Sequence, residues 1–201
     1  RPAGGDRRPG PLARPRGMKL YYDLASPYAY LAVARAADVL GEEPELQPVL
    51  VGAIFGWRGR GSWALTDARD EGEAEVERRA ARYGLPPVVW PRGWPVNSLG
   101  PMRAALWAQR QGRGPEFARA AFEREFARGE DISDVALLDE IARSVGLDGV
   151  REAIADPEVK RALKEATETA WALGVQGVPT LEAGRRLYFG DDRLEEAAAA
   201  R

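Results

Sequence analysis

The order of elements legible in these 201 residues predicts an α/β fold interrupted by a long block of helices. Three observations carry that expectation. A short aromatic-rich run, "KLYYD", passes straight into a helical pattern; helical periodicity then holds almost throughout residues 68–173; and two strand-like runs around a glycine precede a closing helix.

The run at 19–23 suits a first strand, and "SPYAYLAVARAADVL" after it suits a helix over 27–40. Ser26 stands at the N-cap, Pro27 at the first helical position and Gly41 just past the end. "ELQPVLVGA" at 45–53 reads as a second strand, with Pro48 restricting it to an edge or bulge because proline has no N–H for a ladder. The glycine-rich "IFGWRGRGSWALTD" reads as a loop able to wall a pocket.

Helical spacing follows over 70–83, stopping at "GLPP". A helix from Asn97 or Ser98 gathers Leu99, Met102, Ala105 and Leu106 on one face, and another over 115–128 gathers Phe117, Ala121, Phe122 and Phe126. The next starts at Ser133 and aligns Leu138, Ile141, Ala142 and Val145; a short one follows Asp148. The last opens on "DPE", with Asp156 as N-cap and Pro157 behind it, and runs to Gly174. "VPTLEA" and "RRLYF" then form a hairpin about Gly184, and "GDDRLEEAAAA" begins a helix with Asp191 and Asp192 in its first turn.

Composition narrows the chemistry. Hydrophobic residues make up 45% and charged residues 30%, a mix that folds in water. There is no cysteine and no histidine, which excludes disulfides, thiol redox pairs, zinc fingers and any Ser-His-Asp or Cys-His machinery supplied by this chain. The lack of cysteine fits a reducing compartment, so the expected location is cytoplasmic. No apolar run reaches the roughly 18 to 20 residues of a membrane helix, and no metal site is expected. Residues 1–17 are rich in Arg, Pro and Gly and read as a disordered extension, with the working chain starting at Met18. Without that segment's five arginines and one aspartate, the totals of 29 basic and 31 acidic residues become 24 and 30. An acidic body argues against a nucleic-acid groove.

Three stretches carry candidate chemistry. In "SPYA", Ser26 faces the unpaired N–H groups at a helix start, a place that favours an anion; the same pair also makes an ordinary helix beginning. In "GVQGVPT", the Val178-Pro179 bond is compatible with a cis loop that offers the N–H and C=O of Val178 to a peptide-like ligand, and equally with a plain strand start. In "FGDDRLE", Asp191 and Asp192 suit the helix macrodipole and also suit a ligand ammonium group.

In this order, "YYDLASPYAYLA", "GVQGVPT" and "FGDDRLE" resemble the 2-hydroxychromene-2-carboxylate isomerase family, a branch of the DsbA-like thioredoxin-fold proteins related to kappa-class glutathione transferases. The resemblance runs from Met18 to the C-terminus. It implies a thioredoxin-like domain over 18–52 and 157–201, a helical insertion over 53–156, and a site for glutathione or another low-molecular-weight thiol. Ser26 then matches the catalytic serine, where redox relatives carry the first cysteine of CxxC, and Ala29 stands at the second. Val178 and Pro179 match the loop that pairs with the cysteinyl backbone, and Asp191 and Asp192 match the pair at the γ-glutamyl end. The first of these is often Asn or Ser in relatives, so this chain adds a negative charge there.

The implied activity is thiol-dependent cis-trans isomerisation of a conjugated aromatic acid, with the serine hydroxyl stabilising a borrowed thiolate. Arg58, Trp57 and Asn97 are the candidate substrate-pocket residues, with Trp63 and Trp94 as further aromatic walls. A kappa-like glutathione transferase and a non-catalytic peptide-binding module are the alternatives. The partner expected is a small aromatic acid; relatives are often homodimers.

Overall fold

A computed structural model describes residues 17–200, so the expectation for 1–17 lies, apart from Gly17, outside the described residues. Four short strands form one mixed sheet: β1 (Lys19–Tyr22), β2 (Glu45–Pro48), β3 (Thr180–Ala183) and β4 (Arg186–Phe189). Their order is β2-β1-β3-β4, with β1 parallel to β2 and antiparallel to β3, and β3 antiparallel to β4. Strand β2 is therefore an edge, which is where Pro48 is tolerated. The alternation along β1 assigns its faces: Leu20 and Tyr22 join the main core, while Tyr21 joins a smaller cluster with Val49, Ile54, Ala170, Val175 and Val178.

Helix α1 (Pro27–Leu40) starts as its sequence dictates. Ser26 is extended and its Oγ accepts from the Ala29 N–H at 3.2 Å, and Gly41 closes the helix at φ 71°. The second expected strand is shorter than its apolar run. Pairing stops at Pro48, and Val51–Trp57 forms helix α2, followed by a 3₁₀ turn at Trp63–Leu65 in place of an open loop. No residue beside α2 caps it. The Val51 N–H is met by the Asp23 carboxylate, and the Leu50 N–H by Thr167 Oγ1, both distant in sequence.

After the 3₁₀ turn come α3 (Arg69–Arg82), α4 (Leu99–Arg110), α5 (Gly114–Phe122), α6 (Val135–Ser144) and α7 (Val150–Ala155). The expected helix over 115–128 is one continuous stretch in which α5 passes into a π-helical turn at Glu123–Ala127. That turn buries Phe126 beside Phe122, with ring centroids 6.3 Å apart. Helix α8 (Pro157–Ala172) is capped by Asp156, whose Oδ1 accepts from the Glu158 N–H at 2.8 Å. After the hairpin, a 3₁₀ turn at Asp191–Arg193 leads into α9 (Leu194–Ala199). Among the described residues no helix is long and apolar enough to cross a membrane.

Candidate active site

The sheet topology delivers the three sequence motifs to one end of the molecule. β1 and β2 are parallel, so both finish there, with Ser26 four residues after β1 and α2 three residues after β2. The antiparallel register Tyr21 to Thr180 puts the start of β3 at that same end, and Thr180 to Phe189 adds the finish of β4. The Gly190 N–H donates to the Pro179 carbonyl at 3.0 Å, which seats the Asp191–Asp192 turn against the Val178-Pro179 loop. The Val178-Pro179 bond is cis.

Ser26 is half-buried at the head of α1. Its oxygen accepts from Ala29, and its hydroxyl proton meets no acceptor among the described residues. Neither the N–H nor the C=O of Val178 has a hydrogen-bond partner among them. Two groups are thus open at this end: a hydroxyl donor at a helix N-terminus and the backbone N–H and C=O of Val178.

Beneath Ser26 lies Asp23, fully buried. Its Oδ1 accepts from the Ala25 N–H at 3.0 Å, and its Oδ2 from the Val51 N–H at 2.9 Å and the Ser98 hydroxyl at 3.2 Å. Burial raises its pKa, and these three donors act in the opposite direction. The first strand was expected to end at Asp23 without a functional role for it. Its signal in the sequence was an acid placed directly between an apolar strand and a capped helix.

The two aspartates of the last motif differ. Asp191 is 1% exposed and already held: Arg79 Nη1 and the Tyr83 hydroxyl donate to its two oxygens, each at 2.8 Å. Arg35 Nη1 donates to its carbonyl at 3.3 Å, with its guanidinium 3.5 Å from the centre of the Tyr83 ring. The negative charge added at this position is therefore offset by Arg79 of α3, a partner that sequence reasoning did not supply. Asp192 is exposed and 3.5 Å from the same Arg79 nitrogen. Burial, and then the bond to Asp191, raises the Tyr83 pKa.

The candidate pocket residues are dispersed around this end. Arg58 Nη1 donates to the Gln176 carbonyl at 2.7 Å, which ties the end of α2 to the loop before Val178. Trp57 is 45% exposed and packs on Trp171, with centroids 5.7 Å apart. Asn97 is exposed, and its Oδ1 accepts from the Leu99 N–H at 3.0 Å. Trp63 meets Tyr28 edge-on at 6.1 Å, two residues after Ser26. Trp94 is a core residue instead of a pocket wall, 2% exposed between Trp63, Trp90 and Phe126.

A DSBA-like thioredoxin domain model matches residues 18–200, nearly all of the described chain. The chain belongs to that family. The family accounts for the mixed sheet and for the helices carried between its strand pairs. Among curated proteins, this DSBA-like chain is 27% identical to glutathione S-transferase kappa 1 of Homo sapiens, over 92% of this chain and 90% of that one. It is 28% identical to 2-hydroxychromene-2-carboxylate isomerase of Sphingobium xenophagum, over 89% and 94% of the two chains. A solved structure of a 2-hydroxychromene-2-carboxylate isomerase superposes with a TM-score of 0.83 at 21% identity, covering 91% of this chain and 93% of that one.

Proposed function

We propose that this protein is a thiol-dependent cis-trans isomerase of a conjugated aromatic acid, using glutathione or another low-molecular-weight thiol as its nucleophile. The observation that carries this reading is Ser26: a hydroxyl with an unengaged proton at the head of a 14-residue helix, at the same end of the sheet as the unpaired backbone of Val178. The names of the two curated relatives, a glutathione transferase and an isomerase, support it.

A free thiol with a pKa of about 8.5 is only a few per cent ionised at pH 7. Making thiolate the main form requires lowering that pKa by about 2 units, or about 2.7 kcal/mol. A hydrogen bond to a charged group is worth about 1.5–3 kcal/mol and a helix N-terminus about 0.3–1 kcal/mol, so Ser26 and α1 together are of the right size. In this reading the N–H and C=O of Val178, in the cis Val178-Pro179 loop, pair with the cysteinyl backbone. Asp192 receives the γ-glutamyl ammonium, while Asp191 holds Arg79 beside that end.

The thiolate then adds to the conjugated double bond of the substrate, forming a carbon–sulfur bond and moving the π electrons onto the carbonyl. The former double bond, now single, rotates. The electrons return, the carbon–sulfur bond breaks, and both the double bond and the thiolate are restored. Trp57, Asn97 and Arg58 border the space for the acid, with the guanidinium facing its carboxylate.

The test is glutathione-dependent isomerisation of cis aromatic enoic acids, followed by absorbance, with wild type and Ser26→Ala. Turnover with no net loss of thiol, reduced at least tenfold in Ser26→Ala, is expected. Stoichiometric loss of thiol would instead assign the transferase reaction suggested by the kappa relative. No reaction with either outcome, at any thiol, would reject both.

A further inference from the structure

We infer that Asp23 is a positioning residue for this site: one buried carboxylate that fixes the Ser26 turn, the start of α2 and the start of α4 in a single arrangement. The inference rests on the thiol-site reading for its chemical consequence, though its geometric content stands without it. The three donors come from three separate segments. Ala25 belongs to the turn that presents Ser26, Val51 opens the helix that ends in Trp57 and Arg58, and Ser98 precedes α4 and follows Asn97. The main chain adds a fourth tie, since the Ser26 N–H donates to the Asp23 carbonyl at 3.0 Å.

The chemistry of the position is restrictive. Both carboxyl oxygens act as acceptors, one for a single donor and the other for two. An amide has only one acceptor oxygen, and its NH₂ would confront either Ala25 or the Val51 and Ser98 pair. A hydroxyl cannot span the two sides. In a fully buried place no water substitutes freely, so the change is felt by the segments themselves. The neighbouring contact of the Leu24 N–H with Met102 Sδ, at 3.1 Å, joins the same turn to the same helix α4. Asp23 thus sets where the serine hydroxyl stands relative to the walls carrying Arg58 and Asn97, although it touches no ligand itself.

Two readouts test this on the full chain. The first is segment-resolved amide hydrogen exchange of wild type, Asp23→Asn and Ser98→Ala without ligand. Expected is at least tenfold faster exchange in Asp23→Asn at 24–30, 51–57 and 98–102 together, with 186–188 in β4, which pairs only with β3, unchanged as the control. Ser98→Ala, which removes one donor only, is expected to accelerate 51–57 and 98–102 by a few fold. The second readout is the pKa of bound glutathione thiol from thiolate absorbance, expected to rise by about 1 unit in Asp23→Asn, a tenfold fall in the thiol's ionisation constant that a purely structural residue would not cause.

Folded Asp23→Asn with wild-type exchange in 51–57 and 98–102, or with an unchanged thiol pKa, would overturn the inference. Should Asp23→Asn not fold, Ser98→Ala decides, and unchanged exchange at 51–57 overturns it. If wild type itself leaves the thiol pKa where it is in water, the thiol reading fails, and the exchange data alone decide the role of Asp23.

Discussion

Glu125 offers a direct test of the core energetics under the site. It lies in the π-helical turn after α5, is fully buried, and neither carboxyl oxygen has a hydrogen-bond partner among the described residues. Burial first, then the charges of Asp23 and Asp131, push its pKa well above the usual glutamate range. In the unfolded chain the same group titrates near 4.3. Between that value and the raised native one the folded protein binds more protons, so stability must fall as pH rises, by at most about 1.4 kcal/mol per pH unit. From pH 5 to 6 the unfolded group is already mostly ionised, so the loss over that interval is bounded at about 1.3 kcal/mol, the limit for a native group that stays protonated throughout. Glu125→Gln keeps the shape and cannot ionise. Urea unfolding of both proteins at pH 5 and 6 is expected to show the stability of the variant rising relative to wild type across that interval, by no more than about 1.3 kcal/mol. Asp23, also shifted upward, contributes the same sense of slope in both proteins and cancels in the difference. Parallel pH profiles would refute the reasoning, because they would mean that Glu125 does not change its charge on folding.

Other substitutions probe the ties between segments. Arg79→Met leaves the buried Asp191 carboxylate with only Tyr83 and is expected to destabilise by about 2–3 kcal/mol, since Arg79 is itself partly exposed; thermal unfolding reads this, and weaker glutathione binding should accompany it. Gly190→Ala should cost about 1–3 kcal/mol and lower thiol-peptide affinity. Gly190 has φ 115° and ψ 151°, a glycine region of the backbone, and a Cβ there would lie 2.6 Å from Asp192 Oδ1. Thr167→Val strands the Leu50 N–H and is expected to cost about 1–3 kcal/mol in denaturant unfolding, with faster exchange at the start of α2.

What could be read from the sequence was what neighbouring residues decide. Ser26-Pro27 and Asp156-Pro157 announce their helices because the capping oxygen and the amide it meets lie two or three residues apart. The hairpin about Gly184 is equally local, with φ 61° at the turn. The apolar run "PVLVGA" misled for the opposite reason. Its residues suit a strand, but the free N–H groups at the start of helix α2 are met by Asp23 and Thr167, acceptors 28 and 117 residues away. The site shows the same division. Its three motifs were legible, whereas the Arg79 and Tyr83 partners of Asp191 lie 112 and 108 residues distant and only the folded chain brings them together. A tryptophan in a Pro/Gly-rich stretch gives no sign of which way it faces, so Trp94 suits a pocket wall and a core equally; the aromatic cluster of Trp63, Trp90 and Phe126 draws it inward.

In the proposed reaction everything depends on Ser26 and the head of α1 turning a bound thiol into thiolate. That step is tested most directly by thiolate ultraviolet absorbance of glutathione titrated across pH with wild type and with Ser26→Ala. A bound-thiol pKa about 2 units below that of free glutathione is expected in wild type, with most of the shift lost in the alanine variant. An unshifted thiol, or a shift that persists without the serine hydroxyl, would contradict it.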